Sequence, residues 1–111
     1  VRAKGSDTFC PLGPWMVTHF SVAEAGNVRL RTTVDGTVCQ ESSTSEMIRS
    51  VSELVSEISS RLTLLPGDVI LTGTPAGAAT VVPRQQVEVE IEGIGTLVNS
   101  VVAGQNAVVE G

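Results

Sequence analysis

Val87-Glu88-Val89-Glu90-Ile91-Glu92-Gly93-Ile94-Gly95-Thr96-Leu97-Val98-Asn99-Ser100-Val101-Val102 decides the architecture. Residues 87–92 alternate apolar and charged side chains without a break, the two-residue period of a half-buried β-strand. Gly93-Ile94-Gly95 supplies a tight turn, and residues 96–102 read as the strand that pairs back. The alternation puts Val87, Val89 and Ile91 on the core face and Glu88, Glu90 and Glu92 on the solvated one. A hard cation needs oxygens converging from a pocket. A row of carboxylates on an open strand face does not converge, so the three glutamates read as a solvated face, not a metal site.

The same logic extends upstream. Residues 28–34 alternate as a strand, and Asp35-Gly36 is a two-residue hairpin signal leading into a return strand at Thr37-Val38-Cys39-Gln40. Met47, Ile48, Val51, Leu54, Val55, Ile58 and Leu62 recur at helical spacing. Thr44 or Ser45 can cap this helix, Glu46 suits its positive end, and Pro66 blocks its continuation. Leu65-Pro66-Gly67-Asp68 is a turn that starts an apolar strand at 69–71, and Val82-Pro83-Arg84-Gln85 echoes it without the Gly-Asp. Trp15 to Thr18 reads as a short strand, 21–27 as a small-residue connection, and 107–109 as a last short strand in the tail. One helix and six or seven strands make a mostly β domain of the α+β class.

Composition bounds the function. The chain has 111 residues, one domain or part of one, and a net charge of −5. With a pI near 4.7 it is a poor match for nucleic acid or an anionic membrane. No apolar run is long enough to span a bilayer, and no signal peptide opens the chain, so a cytoplasmic location is expected. The start at Val1-Arg2-Ala3-Lys4, without methionine, reads as the interior of a longer protein. Cys10 and Cys39 have no motif spacing and read as free thiols. With one histidine and no CxxC, a zinc site is not indicated. His19 reads as a surface or loop histidine and Asp7 as turn chemistry, since neither has an evident catalytic partner.

Two segments carry chemical interest. Ile70-Leu71-Thr72-Gly73-Thr74-Pro75-Ala76-Gly77 is an apolar run that stops at a loop of small residues. Its glycines leave backbone accessible, and Thr72 and Thr74 offer hydroxyls to an anionic oxygen. On its own such a loop is more often just a turn. Lys4 precedes a loop rich in Gly and Pro. It could polarise a carbonyl or hold an enolate, although a solvated lysine is the plainer local reading.

Taken together, these segments resemble the fumarylacetoacetate hydrolase family. The resemblance runs through Lys4-Gly5-Ser6-Asp7-Thr8-Phe9-Cys10-Pro11-Leu12-Gly13-Pro14-Trp15, residues 30–40, Thr44-Ser45-Glu46-Met47-Ile48 with its helix, residues 65–77, and the hairpin 87–102. It covers nearly the whole chain, in order. It implies residues 1–111 as the C-terminal portion of one catalytic domain, part of a mixed β-roll, and a homodimer. It implies a divalent cation, Mg2+ or Mn2+, acting as a Lewis acid on the enolate of a small 2-oxo or 1,3-dicarbonyl acid, with C–C hydrolysis, decarboxylation or keto-enol isomerisation as the outcome. The wording of its motifs favours the isomerase/decarboxylase or acylpyruvate hydrolase branch of aromatic catabolism. Lys4 matches the family's active-site lysine, and Thr74, with Gly73 beside it, matches the threonine that binds the substrate carboxylate. The family's metal ligands, a Glu-x-Glu pair and an Asp, and the acid–base group of its lid precede the lysine loop and are expected upstream of Val1. Gly5-Ser6 departs from the usual Ser and bulky residue. The implied alternative is an inert fragment that folds, dimerises or binds small anions without turnover.

Overall fold

The computed structural model describes residues 5–104. Lys4 and the strand expected at 107–109 lie outside the described residues. Within them the chain forms α1 (Val22–Ala25), β1 (Arg29–Val34), β2 (Thr37–Ser43), a 3-10 turn (Thr44–Glu46), α2 (Val51–Ser59), β3 (Gln86–Ile91) and β4 (Gly95–Ser100). The strands make one antiparallel sheet in the order β2-β1-β3-β4. The α+β class expected from the sequence is the one observed.

Two of the hairpin predictions hold residue by residue. Asp35 and Gly36 turn β1 into β2 with positive φ at both positions, 48° and 78°. The Asp35 carboxylate accepts from the Gln86 N–H at 2.8 Å and the Asp35 N–H donates to the Gln86 carbonyl at 2.9 Å, tying the hairpin tip to the start of β3. At the other end, β3 and β4 pair from Gln86–Ser100 to Ile91–Gly95. Leu30, Thr32, Val87, Val89, Ile91 and Leu97 share one half-buried face by this register. Arg29, Arg31, Glu41, Glu90 and Glu92 line an open groove on the other.

The β1–β2 ladder slips once. Thr32 pairs with Gln40 but Thr33 pairs with Val38, which leaves Cys39 as the extra residue of a β-bulge. A bulge bends its strand and re-aims the side chains beside it. Here it turns the Cys39 carbonyl and the Gln40 side chain toward the loop at 72–77.

The helix begins later than its periodicity predicts. Thr44 and Ser45 do not cap α2. The Thr44 hydroxyl is committed elsewhere: it accepts from the Val28 N–H at 2.9 Å and donates to the Ala25 carbonyl at 2.7 Å. Ser43 caps the 3-10 turn instead, and Met47 is extended at φ −61°, ψ 137°. Ser50 then starts α2 with a capping box, its hydroxyl accepting from the Glu53 N–H while the Glu53 carboxylate accepts from the Ser50 N–H at 2.6 Å. Val51, Leu54 and Ile58 form its half-buried side, and Ile48 is left outside the helix and exposed.

Two expected strands are absent among the described residues. Trp15 to Thr18 runs as a loop across the β3–β4 turn, where the Trp15 indole N–H donates to the Ile94 carbonyl. Residues 69–71 are not a buried strand, and Leu71 is 75% exposed. No described strand lies beside them to supply a ladder, and an apolar run without one has no reason to be extended and paired. Among the described residues four strands therefore stand where six were expected. Residues 21–27, read as a plain connection, contain the one-turn helix α1, closed by a Ser21–Glu24 capping box.

The pre-strand echo is a true structural repeat. In the first turn the Asp68 N–H donates to the Leu65 carbonyl and the Asp68 carboxylate accepts from the Leu65 N–H. In the second the Gln85 N–H donates to the Val82 carbonyl and the Gln85 side-chain oxygen accepts from the Val82 N–H. Each has proline second and a positive φ third, Gly67 at 94° and Arg84 at 77°. The lost Gly-Asp does not dissolve the turn, because Gln85 replaces the aspartate and Arg84 accepts the left-handed backbone.

Candidate active-site wall

The loop singled out in the sequence forms one wall of a groove of about 610 Å³. Thr72, Gly73, Thr74 and Pro75 line it together with Leu30, Met47 and Leu54, and with Ser42, Thr44 and Glu46. Its lining is mixed: Leu30, Met47, Ile48, Leu54 and Pro75 are apolar, while hydroxyls come from Ser42, Ser43, Thr44, Thr72 and Thr74. Hydroxyls beside apolar side chains are the usual makings of a small-ligand site. Arg49 is also on the rim, but its guanidinium is paired with the Glu57 carboxylate. The Glu46 carboxylate accepts from the Ser42 hydroxyl at 2.6 Å.

Sequence-level folding explains why the loop sits here. Gly77 closes it at φ 94°, with the Cys39 carbonyl of the bulge so near that any Cβ at this position would collide with it. The loop can lie on β2 only because residue 77 has no side chain. Gln40, 9% exposed, then reaches from the bulge into the loop. Its side-chain Nε2 donates to the Thr74 Oγ1 at 2.8 Å and to the Pro75 carbonyl at 2.9 Å. Thr74 itself is exposed toward the groove.

Of the residues marked in the sequence, Gly73 and Thr74 are brought together in this wall. Lys4 is outside the described residues. The three strand glutamates do not join it: Glu90 and Glu92 line the groove on the opposite face, with Arg29, Arg31 and Glu41. There the Arg31 guanidinium, 2.9 Å from Glu41, holds the Glu41 carboxyl below the usual carboxylate range by hydrogen bonding and charge. His19 and Asp7 are exposed and remote from the threonine loop in sequence and role, and Cys10 and Cys39 are both free thiols. Gln40 is the residue that pattern reading passed over. Its only sequence trace is a long amide among residues that pair toward the core face.

Among the described residues no group of three His, Cys, Asp or Glu side chains could hold a metal ion. Nor is any described helix long and apolar enough to cross a membrane.

Comparison with known proteins gives the wall its context. Residues 1–102 match the family model described as fumarylacetoacetate hydrolase, C-terminal. The chain is 44% identical to the 4-hydroxyphenylacetate degradation bifunctional isomerase/decarboxylase of Salmonella dublin, over 96% of this chain and 25% of that protein. It superposes on the 2-hydroxyhepta-2,4-diene-1,7-dioate isomerase of Mycobacterium marinum with a TM-score of 0.86 and 53% identity, covering 91% of this chain and 39% of that one. It superposes on a Sphingobium maleylpyruvate hydrolase, solved with manganese(II) and pyruvate, with a TM-score of 0.85 and 33% identity over 89% of this chain and 38% of that one. The chain thus spans between 25% and 39% of the length of these relatives. With its α+β sheet, its threonine loop and a match over nearly its whole length, the chain belongs to the fumarylacetoacetate hydrolase family.

Proposed function

We propose that this chain builds the carboxylate-holding wall of an enzyme acting on small 2-oxo or 1,3-dicarbonyl acids through an enolate, by C–C hydrolysis, decarboxylation or keto-enol isomerisation. The observation that carries this reading is Thr74. It is an exposed residue that lines the groove beside the bare backbone of Gly73. A hydroxyl and accessible backbone suit a carboxylate, and the apolar side chains of Leu30, Met47 and Leu54 in the same groove suit a carbon chain. Lys4 is proposed, on the family resemblance, as the group that contacts the substrate oxygens. A divalent ion, Mg2+ or Mn2+, is the proposed cofactor and would supply Lewis acidity. Its ligands are not among the described residues, so the roles derived from this chain are confined to binding and orientation. A homodimer in the cytoplasm, without nucleic-acid or membrane partners, completes the proposal.

The test is Thr74→Val in the protein of the complete reading frame, assayed on oxaloacetate and an acylpyruvate. Loss of one hydrogen bond to a charged group raises KM roughly tenfold or more. An unchanged KM for both substrates rejects the carboxylate-anchor role. Sequencing upstream of Val1 for Glu-x-Glu and Asp tests the metal assignment separately. A second reading is that these 111 residues alone fold and bind anions without turnover. The lack of a ligand set among the described residues favours it. Titration of the isolated chain with Mg2+ by calorimetry decides: micromolar binding with turnover of oxaloacetate defeats this second reading.

A further inference from the structure

We propose that Gln40 is a positioning residue that sets the polarity of the Thr74 hydroxyl, so that Thr74 offers its proton to a ligand carboxylate in the groove. This deepens the carboxylate-anchor reading and rests on it. The argument is one of donors and acceptors. The Pro75 carbonyl oxygen can only accept, and the Gln40 side-chain nitrogen lies 2.9 Å from it, so the amide must present its NH2 end to the loop. That same nitrogen is 2.8 Å from Thr74 Oγ1. A carboxamide nitrogen has two hydrogens and no lone pair free to accept. Both contacts are therefore donations, one hydrogen to each oxygen.

The Thr74 hydroxyl is thus an acceptor toward Gln40 and keeps its own proton for another partner. Because Thr74 lines the groove, that partner is whatever occupies the groove beside it. The flipped amide would set its oxygen against the Pro75 carbonyl and draw the Thr74 proton to itself. The groove would then meet the hydroxyl's lone pairs, which repel a carboxylate. Pro75 selects the amide orientation and the amide selects the hydroxyl orientation. The Cys39 bulge and the bare Cα of Gly77 bring the three into register. Gln40 is 9% exposed, so solvent has little access to substitute for it. The ligand class this favours is an acceptor-only anionic headgroup, the carboxylate of a 2-oxo acid.

The experiment is a double-mutant cycle in the protein of the complete reading frame. It measures the pyruvate Kd by calorimetry in MnCl2, and kcat and KM on oxaloacetate. Gln40→Glu replaces two donors with acceptors, Gln40→Met removes donors at similar shape, and each is made with and without Thr74→Val. Gln40→Glu is expected to weaken pyruvate binding and raise KM, with kcat little changed. The loss should be at least about fivefold larger with Thr74 present than on the Thr74→Val background. Equal losses on both backgrounds overturn the proposal. So does a fall in kcat at constant KM. If Gln40→Glu does not fold, as judged by its thermal melt, the Gln40→Met cycle decides by the same criterion. Unchanged pyruvate binding in Thr74→Val alone rejects the anchor itself, a result distinct from an additive cycle.

Discussion

Arg84 shows how much of a fold can hang on one residue's backbone. It is the third residue of a proline turn and sits at φ 77°, where its twin Gly67 sits at 94°. For a side chain with a Cβ the left-handed region costs roughly 1–2 kcal/mol. The turn persists because its other bonds are intact: the Arg84 N–H donates to the Val101 carbonyl at 2.8 Å, and the Val101 N–H donates to the Gln85 carbonyl at 2.8 Å. Arg84→Gly is therefore expected to stabilise the chain. Part of the relieved strain is offset by the greater freedom of glycine in the unfolded chain, leaving a net gain of about 0.5–1 kcal/mol. Urea unfolding of the two proteins measures this, and a lower midpoint for Arg84→Gly would contradict the strain assignment. The guanidinium itself is exposed and makes none of the turn's hydrogen bonds, so little is lost with the side chain.

Among the elements, α2 is the longest helix and one whose stability responds to pH. Its cap depends on the Glu53 carboxylate, which accepts from the Ser50 N–H at 2.6 Å and from the Ser50 hydroxyl at 2.9 Å. The backbone bond first, and the hydroxyl bond second, hold the Glu53 carboxyl below its ordinary range. A depressed carboxylate contributes its stabilisation in full above the ordinary carboxylate value, and loses it as the pH falls through the lower folded-state value. Helical circular dichroism is expected to hold from neutral pH down to the ordinary carboxylate range and then decline. In Glu53→Gln that acid-side decline should shrink. Identical acid profiles for the two proteins would show that the cap does not depend on the charge. Ser50-Val51-Ser52-Glu53 is a written capping box, so this start was legible in the chain. The apolar periodicity over 47–62 pointed earlier because it cannot see that Thr44 is occupied by Val28 and Ala25. The hairpins at Asp35-Gly36 and Gly93-Gly95 were legible because turn chemistry and alternation are local. The strand expected at 69–71 was not a local matter, since a strand needs a neighbour. The candidate site divides in the same way. Thr74 and Gly73 could be read from their loop, whereas Gln40 joins them across thirty-four positions through a bulge that alternation does not reveal.

At the scale of the whole molecule, the described fold buries too little of its apolar surface to stand comfortably alone. Val28 is the one apolar side chain among the described residues that is buried, while Met16 is 85% exposed and Trp15, Ile48, Leu65 and Leu71 are also open to solvent. The radius of gyration is 16.3 Å, against about 13 Å for a compact domain of this length. The accessible surface is 9102 Å², against roughly 5,800 Å² for a compact monomer of 11.5 kDa. The excess is surface that a compact monomer of this mass would bury. Apolar surface on this scale seeks cover, and in a solution of this chain alone the available cover is another copy. The isolated chain is therefore expected to sediment as a concentration-dependent dimer or larger species, and to bind a hydrophobic dye. Joining the further sequence of the complete reading frame should suppress the dye binding while leaving a defined oligomer. A single monomeric boundary for the isolated chain at tens of micromolar, without dye binding, would mean that these side chains find cover within the chain itself. The net charge of −5 opposes association weakly, and its screening gives the control. If apolar cover drives the assembly, raising the salt should strengthen it, because repulsion is damped while burial is unaffected. Assembly held by pairs such as Arg31 and Glu41 would instead weaken.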